Sequence, residues 1–265
     1  MIPFNVNIVM LTLYRTIRNS STYSQVLFVQ TVMHVLVIAG LIVAFDWSLL
    51  FAGLAVSWLL FCVGGSVSLH RWTCHRSFEP KNRVVKWILL WLGVQCTLGS
   101  VPGFASAHRQ HHVHSDTEQD PFQLKNSFWH NFKLLWYHFP KMSASPKMIV
   151  DILRDKDMRL SHDHYWKIWA IYPVLVLLLG GPVYFVYFVA LPITYMVLGM
   201  SWVTVIAHSG PIDPITKDRS WDSRLFTVLF AGEGLHNSHH AHPGQCDFNA
   251  TKLDPTGLVI KFLKS

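Results

Sequence analysis

Half of the sixteen histidines in this 265-residue chain fall into three tight clusters. His70 and His75 bracket Arg-Trp-Thr-Cys; His108, His111 and His112 form a second group; His236, His239 and His240 form a third. His208 stands alone between the second and third. On a helix, residues three and four apart share a face. The spacing therefore predicts that the second and third groups each point their rings together. His70 and His75, five apart, align less well and need a local turn or a helix end. Nine imidazoles are too many for one metal ion and enough for two. Imidazole suits zinc, copper, iron and nickel. A structural zinc site is closed by four ligands, commonly cysteines, yet the four cysteines here contain no CxxC pair. A surplus of neutral nitrogen suits a metal pair that changes oxidation state and reacts with oxygen.

Metal-bound histidines usually give their second N–H to a carboxylate or carbonyl. The candidates for that supporting role are Asp116, Glu118 and Asp120 after the second cluster, Glu233 before the third and Asn237 within it. Gly232 and Gly234 flank Glu233 and permit close backbone approach. His34, His114, His130, His138, His162, His164 and His242 read as ordinary hydrogen-bonding residues, His34 neutral and bonded to a neighbouring helix.

The elements that must position these residues are apolar. Apolar residues make up 51% of the chain and charged residues 14%, against about 25% charged in soluble domains. Lipid is the expected solvent. Apolar stretches cover about 26–45, 49–67, 168–180 and 183–207, where a spanning helix needs about 20 residues. Tyr165, Trp166 and Trp169 extend the third stretch as an interfacial belt. Asp46-Trp47-Ser48 joins the first pair and Gly180-Gly181-Pro182 the second, as hairpin turns. The stretch from Val84 to Val101 reads as an interfacial or re-entrant helix. The predicted fold is an all-α integral membrane protein of a single domain over 1–265. It has four transmembrane helices in two hairpins and a cytoplasmic, helix-rich histidine cap built from loop 70–167 and tail 208–265.

All 22 Lys and Arg residues lie in the N-terminal arm, that loop and that tail, and none lies in the hairpin links. The positive-inside rule places arm, loop and tail together in the cytoplasm. The net charge of +7 thus follows membrane topology, and no nucleic-acid partner is expected. Arg15 and Arg18 follow the apolar N-terminal segment rather than precede it, unlike a cleavable signal. Residues 1–19 read as an amphipathic surface helix. Clusters at one membrane face also argue against a metal or haem transporter, whose site usually lies near the midplane.

The clusters occur as HRWTCHRSF, HRQHHVHSDTEQDPF and GEGLHNSHHAHP. In order and spacing the chain, from His70 to its C-terminus, resembles the membrane fatty acyl desaturases of the stearoyl-CoA desaturase type, whose pattern is HxxxxH, HxxHH and HxxHH. The resemblance implies a di-iron (Fe2+) enzyme using O2 as co-substrate to insert a cis double bond, by default at the delta-9 position, into a saturated acyl chain. It implies one iron held by His70, His75, His108, His112 and His239, and the other by His111, His208, His236 and His240. Thr204 stands where the family carries an Asn that reaches the second metal, and its hydroxyl could hold a water there. Trp72, Trp91, Phe104, Trp129 and Trp202 are candidates to line the acyl tunnel. The segment Val101–Ala107 lacks the Arg and Asp that CoA-dependent members place before the second box. That departure shifts the expected acyl carrier from CoA toward a carrier protein or a glycerolipid. His242-Pro243-Gly244-Gln245 is similar to the haem-binding HPGG of fused cytochromes, but only about twenty residues follow. Electrons are therefore expected from a separate donor, a ferredoxin or a b-type cytochrome. A di-iron membrane hydroxylase or oxygenase shares the same early chemistry.

Overall fold

A computed structural model describes residues 22–122, 124, 128–137, 145–248 and 253–265. The expected surface helix over 1–19 and His138 lie outside the described residues. Helices alone form the regular structure among those described.

Helix α1 covers Thr22–Val43 and α2 covers Trp47–Leu60, which continues without a break as a π-helix over Phe61–Cys74. The link between them is fixed by hydrogen bonds. The Asp46 carboxylate accepts from the Leu49 N–H at 2.8 Å, capping α2 as an N-terminal Asp should. Tyr187 Oη accepts from the Asp46 N–H and donates to the Ala44 carbonyl, both at 2.9 Å. Helices α3 (Arg83–Gln95) and α4 (Val101–His114) follow. The apolar stretch 84–101 is thus not one interfacial helix. It breaks after Gln95, where Thr97 (φ 55°) and Gly99 (φ 97°) reverse the chain. Gln30 of α1 donates to the Thr97 carbonyl at 2.7 Å, and the Trp169 indole donates to its hydroxyl at 2.8 Å. The reversal is buried, so these partners replace the water its polar groups lose. His34 bonds the Gln30 carbonyl of its own helix at 2.7 Å.

Then come α5 (Phe128–Tyr137), a 3-10 turn (Pro146–Ile149), α6 (Val150–Arg154) and α7 (Lys156–Asp163). Helix α8 (Tyr165–Phe185) passes through a π-turn (Val186–Ala190) into α9 (Leu191–Ile206). Helices α10 (Arg224–Leu229), α11 (His236–Ala241) and α12 (Pro255–Leu263) complete the described chain.

Among the described residues, three helical runs are long and apolar enough to cross a membrane: Ser24–Val43, Trp47–Cys74 and Tyr165–Ile206. The last holds 42 residues, about 63 Å if straight at 1.5 Å per residue. It is not straight. Gly181 takes φ 75° and ψ −172°, a conformation that favours glycine. Beyond it, Tyr172 Oη donates to the Phe188 carbonyl at 2.8 Å, although sixteen residues of straight helix span about 24 Å. The run folds back at the expected Gly180-Gly181-Pro182 turn. Large apolar side chains stand outward on the runs, among them Ile42, Leu178 and Leu179. Hydrocarbon is the solvent that tolerates such a surface. This is an apolar, membrane-type helical protein, with α9 packed on α1, α2 and α5, and α3 on the π-helix.

Candidate metal centre

The local winding of the first cluster resolves its awkward spacing. A π-helix bonds residue i to i+5, so residues five apart face the same way. His75 closes that helix, its N–H donating to the His70 carbonyl at 3.3 Å. Helix α4 presents His108, His111 and His112, and α11 presents His236, His239 and His240. His208 follows the end of α9.

All nine rings come together, in two groups. His70, His75, His108, His112 and His239 form one; His111, His208, His236 and His240 form the other. In each group the facing ligand atoms lie within 4.8 Å of one another. The Nε2 atoms of His75 and His108 are 2.8 Å apart, those of His112 and His239 2.8 Å, and those of His70 and His239 2.9 Å. In the second group His208 and His236 bring their Nε2 atoms to 2.9 Å. His111 Nε2 and His240 Nε2 are buried without a hydrogen-bond partner.

On the far side of several rings stands a carboxylate. Glu233 lies 2.6 Å from His70 Nδ1, Asp120 2.9 Å from His111 Nδ1, Asp116 3.1 Å from His208 Nδ1 and Asp218 2.6 Å from His240 Nδ1. A carboxylate at Nδ1 assigns the proton there and leaves the Nε2 lone pair pointing inward. Burial, then the neighbouring imidazoles, push His75, His108, His111, His112, His236 and His239 well below the ordinary histidine range, and His240 also downward. Neutral, inward-facing lone pairs crowded at contact distance repel each other unless a cation or proton stands between them. The donor set therefore fits two metal ions. Burial, the largest single influence, would raise the Asp218 carboxyl, but the His240 ring together with the Ser220 and Thr216 hydroxyls holds it below the usual range. Burial pushes Asp120 up to about 6.

Two arginines, Arg71 fully buried and Arg109 half-buried, tie the clusters together. Arg71 donates to both carboxylate oxygens of Asp254, at 2.5 and 3.0 Å, and to the Cys246 carbonyl at 3.0 Å; its guanidinium sits 3.6 Å from the Phe248 ring centre. Arg109, between the second-cluster histidines, donates to the carbonyls of Thr73 (3.0 Å), Cys74 (2.6 Å) and Met148 (2.6 Å), and to both oxygens of Asp151. It thereby fixes the chain leading into His75 against α4.

Other expected site residues divide. Asp116, Asp120 and Glu233 stand behind histidines. Glu118 is exposed and bonds no histidine among the described residues. Asn237 donates to the Ser220 carbonyl and hydroxyl at 3.2 Å rather than to a histidine. Thr204 is half-buried, four residues before His208. Trp72 is fully buried, and Phe104 lies parallel to the His108 ring at 6.1 Å. Trp91 faces an apolar cavity of about 370 Å³ with Val56, Leu59, Val63, Tyr172 and Phe188. Trp129 and Trp202 are 71% and 37% exposed, so the described residues do not enclose them as tunnel walls. Asp218 was not foreseen. It lies 22 residues before His240, in a loop with no periodic signal.

Comparison with known proteins places this geometry. The sequence model of the fatty acid desaturase family matches residues 45–256. An sn-1 stearoyl-lipid 9-desaturase of Anabaena variabilis is 30% identical over 255 residues, covering 92% of this chain and 93% of that protein. An sn-1 stearoyl-lipid 9-desaturase of Synechocystis sp. is 26% identical, covering 90% of this chain and 76% of that protein. An acyl-CoA C20 delta5-desaturase of Anemone leveillei is 28% identical, covering 88% and 78%. A family match across most of the chain, joined to a buried two-group histidine cluster in an apolar helical protein, means that the chain belongs to the membrane fatty acid desaturase family and is a fatty acyl desaturase.

Proposed function

We propose that the enzyme inserts a cis double bond at the delta-9 position of a saturated, lipid-linked acyl chain. Two iron ions are held, one by His70, His75, His108, His112 and His239, the other by His111, His208, His236 and His240. The observation that carries this reading is the pair of converging Nε2 sets, backed at Nδ1 by one carboxylate in the first group and three in the second. When bound, the iron pair with O2 supplies the oxidising power to remove two hydrogens from adjacent carbons, chemistry beyond the reach of side chains.

The chain's own residues set the conditions. Glu233, Asp120, Asp116 and Asp218 hold the Nδ1 protons and orient the rings. The buried Phe104, parallel to the His108 ring, sets an apolar wall beside the first group and limits water there. Thr204 offers a hydroxyl one turn before His208. Both cyanobacterial relatives act, by their names, on stearoyl-lipid at position 9. The missing Arg and Asp before the second box point the same way, toward a glycerolipid carrier. The proposed topology has four crossings, with the fold at Gly181 separating the last two. The positions of the 22 cations then put both ends and the metal centre on the cytoplasmic side. A separate ferredoxin or b-type cytochrome delivers the electrons there.

The test is expression in a desaturase-deficient host with lipid analysis by mass spectrometry. Wild-type chain should yield delta-9 unsaturated lipid. His111→Ala and His239→Ala should abolish product while the protein stays inserted, each with a reduced iron content. Normal product from either well-expressed variant would refute the assignment.

A further inference from the structure

The loop after α9 turns back along the long apolar helices. Helix α10 docks between the second and last long apolar runs, beside Trp58 and Tyr195, which lie sixteen residues before Cys74 and eleven before Ile206. The Trp58 indole donates to the Val228 carbonyl at 2.8 Å, and Tyr195 Oη donates to the Leu229 carbonyl. Phe230 packs between Phe61 (5.3 Å between ring centres) and Tyr195 (5.8 Å). Trp58 lies eleven residues beyond Trp47, about 16 Å along a helix, and Tyr195 fourteen beyond Gly181, about 21 Å. Counted from the far-side turns, both depths fall inside a hydrocarbon core about 30 Å thick.

Two further features match that depth. In hydrocarbon every backbone polar group needs a protein partner. The last carbonyls of α10 all have one: Phe226 from the Phe230 N–H (2.8 Å), Thr227 from the Gly232 N–H (2.8 Å), Val228 from Trp58 and Leu229 from Tyr195. The outward face is apolar, with Leu225 64%, Val228 57% and Leu229 39% exposed. The charged Arg224 sits at the first position, where a long cationic side chain can reach back to headgroups.

We propose that α10 is a re-entrant helix whose Leu225–Val228–Leu229 face contacts the acyl chains of the bilayer. This rests on the four-crossing topology proposed above. The tail is then not wholly cytoplasmic. The segment leading into Glu233 and the third histidine cluster is seated in lipid, the phase in which a lipid-linked substrate resides.

Full-length protein in permeabilised phosphatidylcholine liposomes tests this, with Cys246→Ser removing the one half-exposed native thiol. Single cysteines are placed by Val228→Cys, by Lys156→Cys as the water-side control and by Leu178→Cys as the lipid-side control. A thiol in an apolar setting has a raised pKa and little thiolate, so Val228→Cys should react with a charged maleimide about tenfold slower or more than Lys156→Cys. Bimane attached at 228 through a membrane-permeant reagent should be quenched by chain-brominated phosphatidylcholine as strongly as bimane at 178. Reaction at 228 as fast as at 156 overturns the proposal. So does slow reaction without quenching, which would mean a protein cover such as a second copy. If bimane at 178 is itself unquenched, the four-crossing topology fails and takes the proposal with it.

Discussion

At the level of single residues, the nine imidazoles were legible because helical period and cluster spacing both act along a few consecutive positions. Three of the carboxylates behind them lie next to a cluster, but only Asp120 backs a ring of the cluster beside it; Asp116 backs His208 and Glu233 backs His70, across the fold. Asp218 was not legible, since nothing local ties it to His240. Its place is set by a folded loop in which its Oδ1 accepts from Thr216 Oγ1 (2.7 Å), the Ser220 N–H (3.0 Å) and Ser220 Oγ (2.6 Å), leaving Oδ2 for the imidazole. Glu118 is as near to the second cluster in sequence but its side chain is exposed, because proximity in sequence does not fix direction in a turn. The two acids therefore make a paired test. Asp218→Asn should weaken metal binding at the second group about 10- to 100-fold, the usual effect of losing a ligand's outer partner. Glu118→Gln should leave it unchanged. Competition with a chelator, reading iron retained per chain, separates the two. Equal retention in both variants would remove Asp218 from the site.

Among the elements, apolar length announced the long apolar helices, and the Gly-Gly-Pro turn announced the fold-back. The π-helix over Phe61–Cys74 left no such mark. Its apolar sequence reads as ordinary helix, and only the five-residue spacing of His70 and His75 hints at a wider winding. The break between α3 and α4 was also hidden, because Gln95 to Ser100 is buried and its polar groups are satisfied by distant Gln30 and Trp169. The tail clamp is a further element-level feature that sequence does not show. Asp254 caps α12 by accepting from the Gly257 N–H at 3.1 Å while pairing with Arg71 of the π-helix. Both side chains are buried, and removing one member of a buried pair strands the other charge. Asp254→Ala should destabilise the protein by about 3–5 kcal/mol and free α12 from the π-helix. Unfolding monitored by circular dichroism in detergent gives the first, and hydrogen exchange at residues 255–263 the second. A stability within error of wild type would show that Phe248 and the Cys246 carbonyl suffice for Arg71.

Across the whole molecule, the question is whether the ions assemble the site or enter one already assembled. The links that do not involve Nε2 answer it. Arg109 joins α4 to the end of the π-helix and to Asp151. Arg71 joins the π-helix to Asp254 and Cys246. Asp116 accepts from the Arg219 N–H at 2.7 Å while holding His208, which connects the turn after α4 to the loop after α9. Asp222 holds the start of α11 through Ser238 at 3.0 and 2.6 Å. Every element that carries a ligand is thus anchored to another without metal. Metal binding should then add stability by mass action, about 2.7 kcal/mol when free metal is a hundredfold above Kd, without creating the fold. Chelation should lower the melting temperature in proportion to the metal withdrawn, leave the helical circular dichroism of the folded state unchanged, and reverse fully when iron is restored anaerobically. A collapse of helicity on chelation, as in a small metal-nucleated domain, would mean that the arginine and carboxylate links are too weak to hold the three clusters in place.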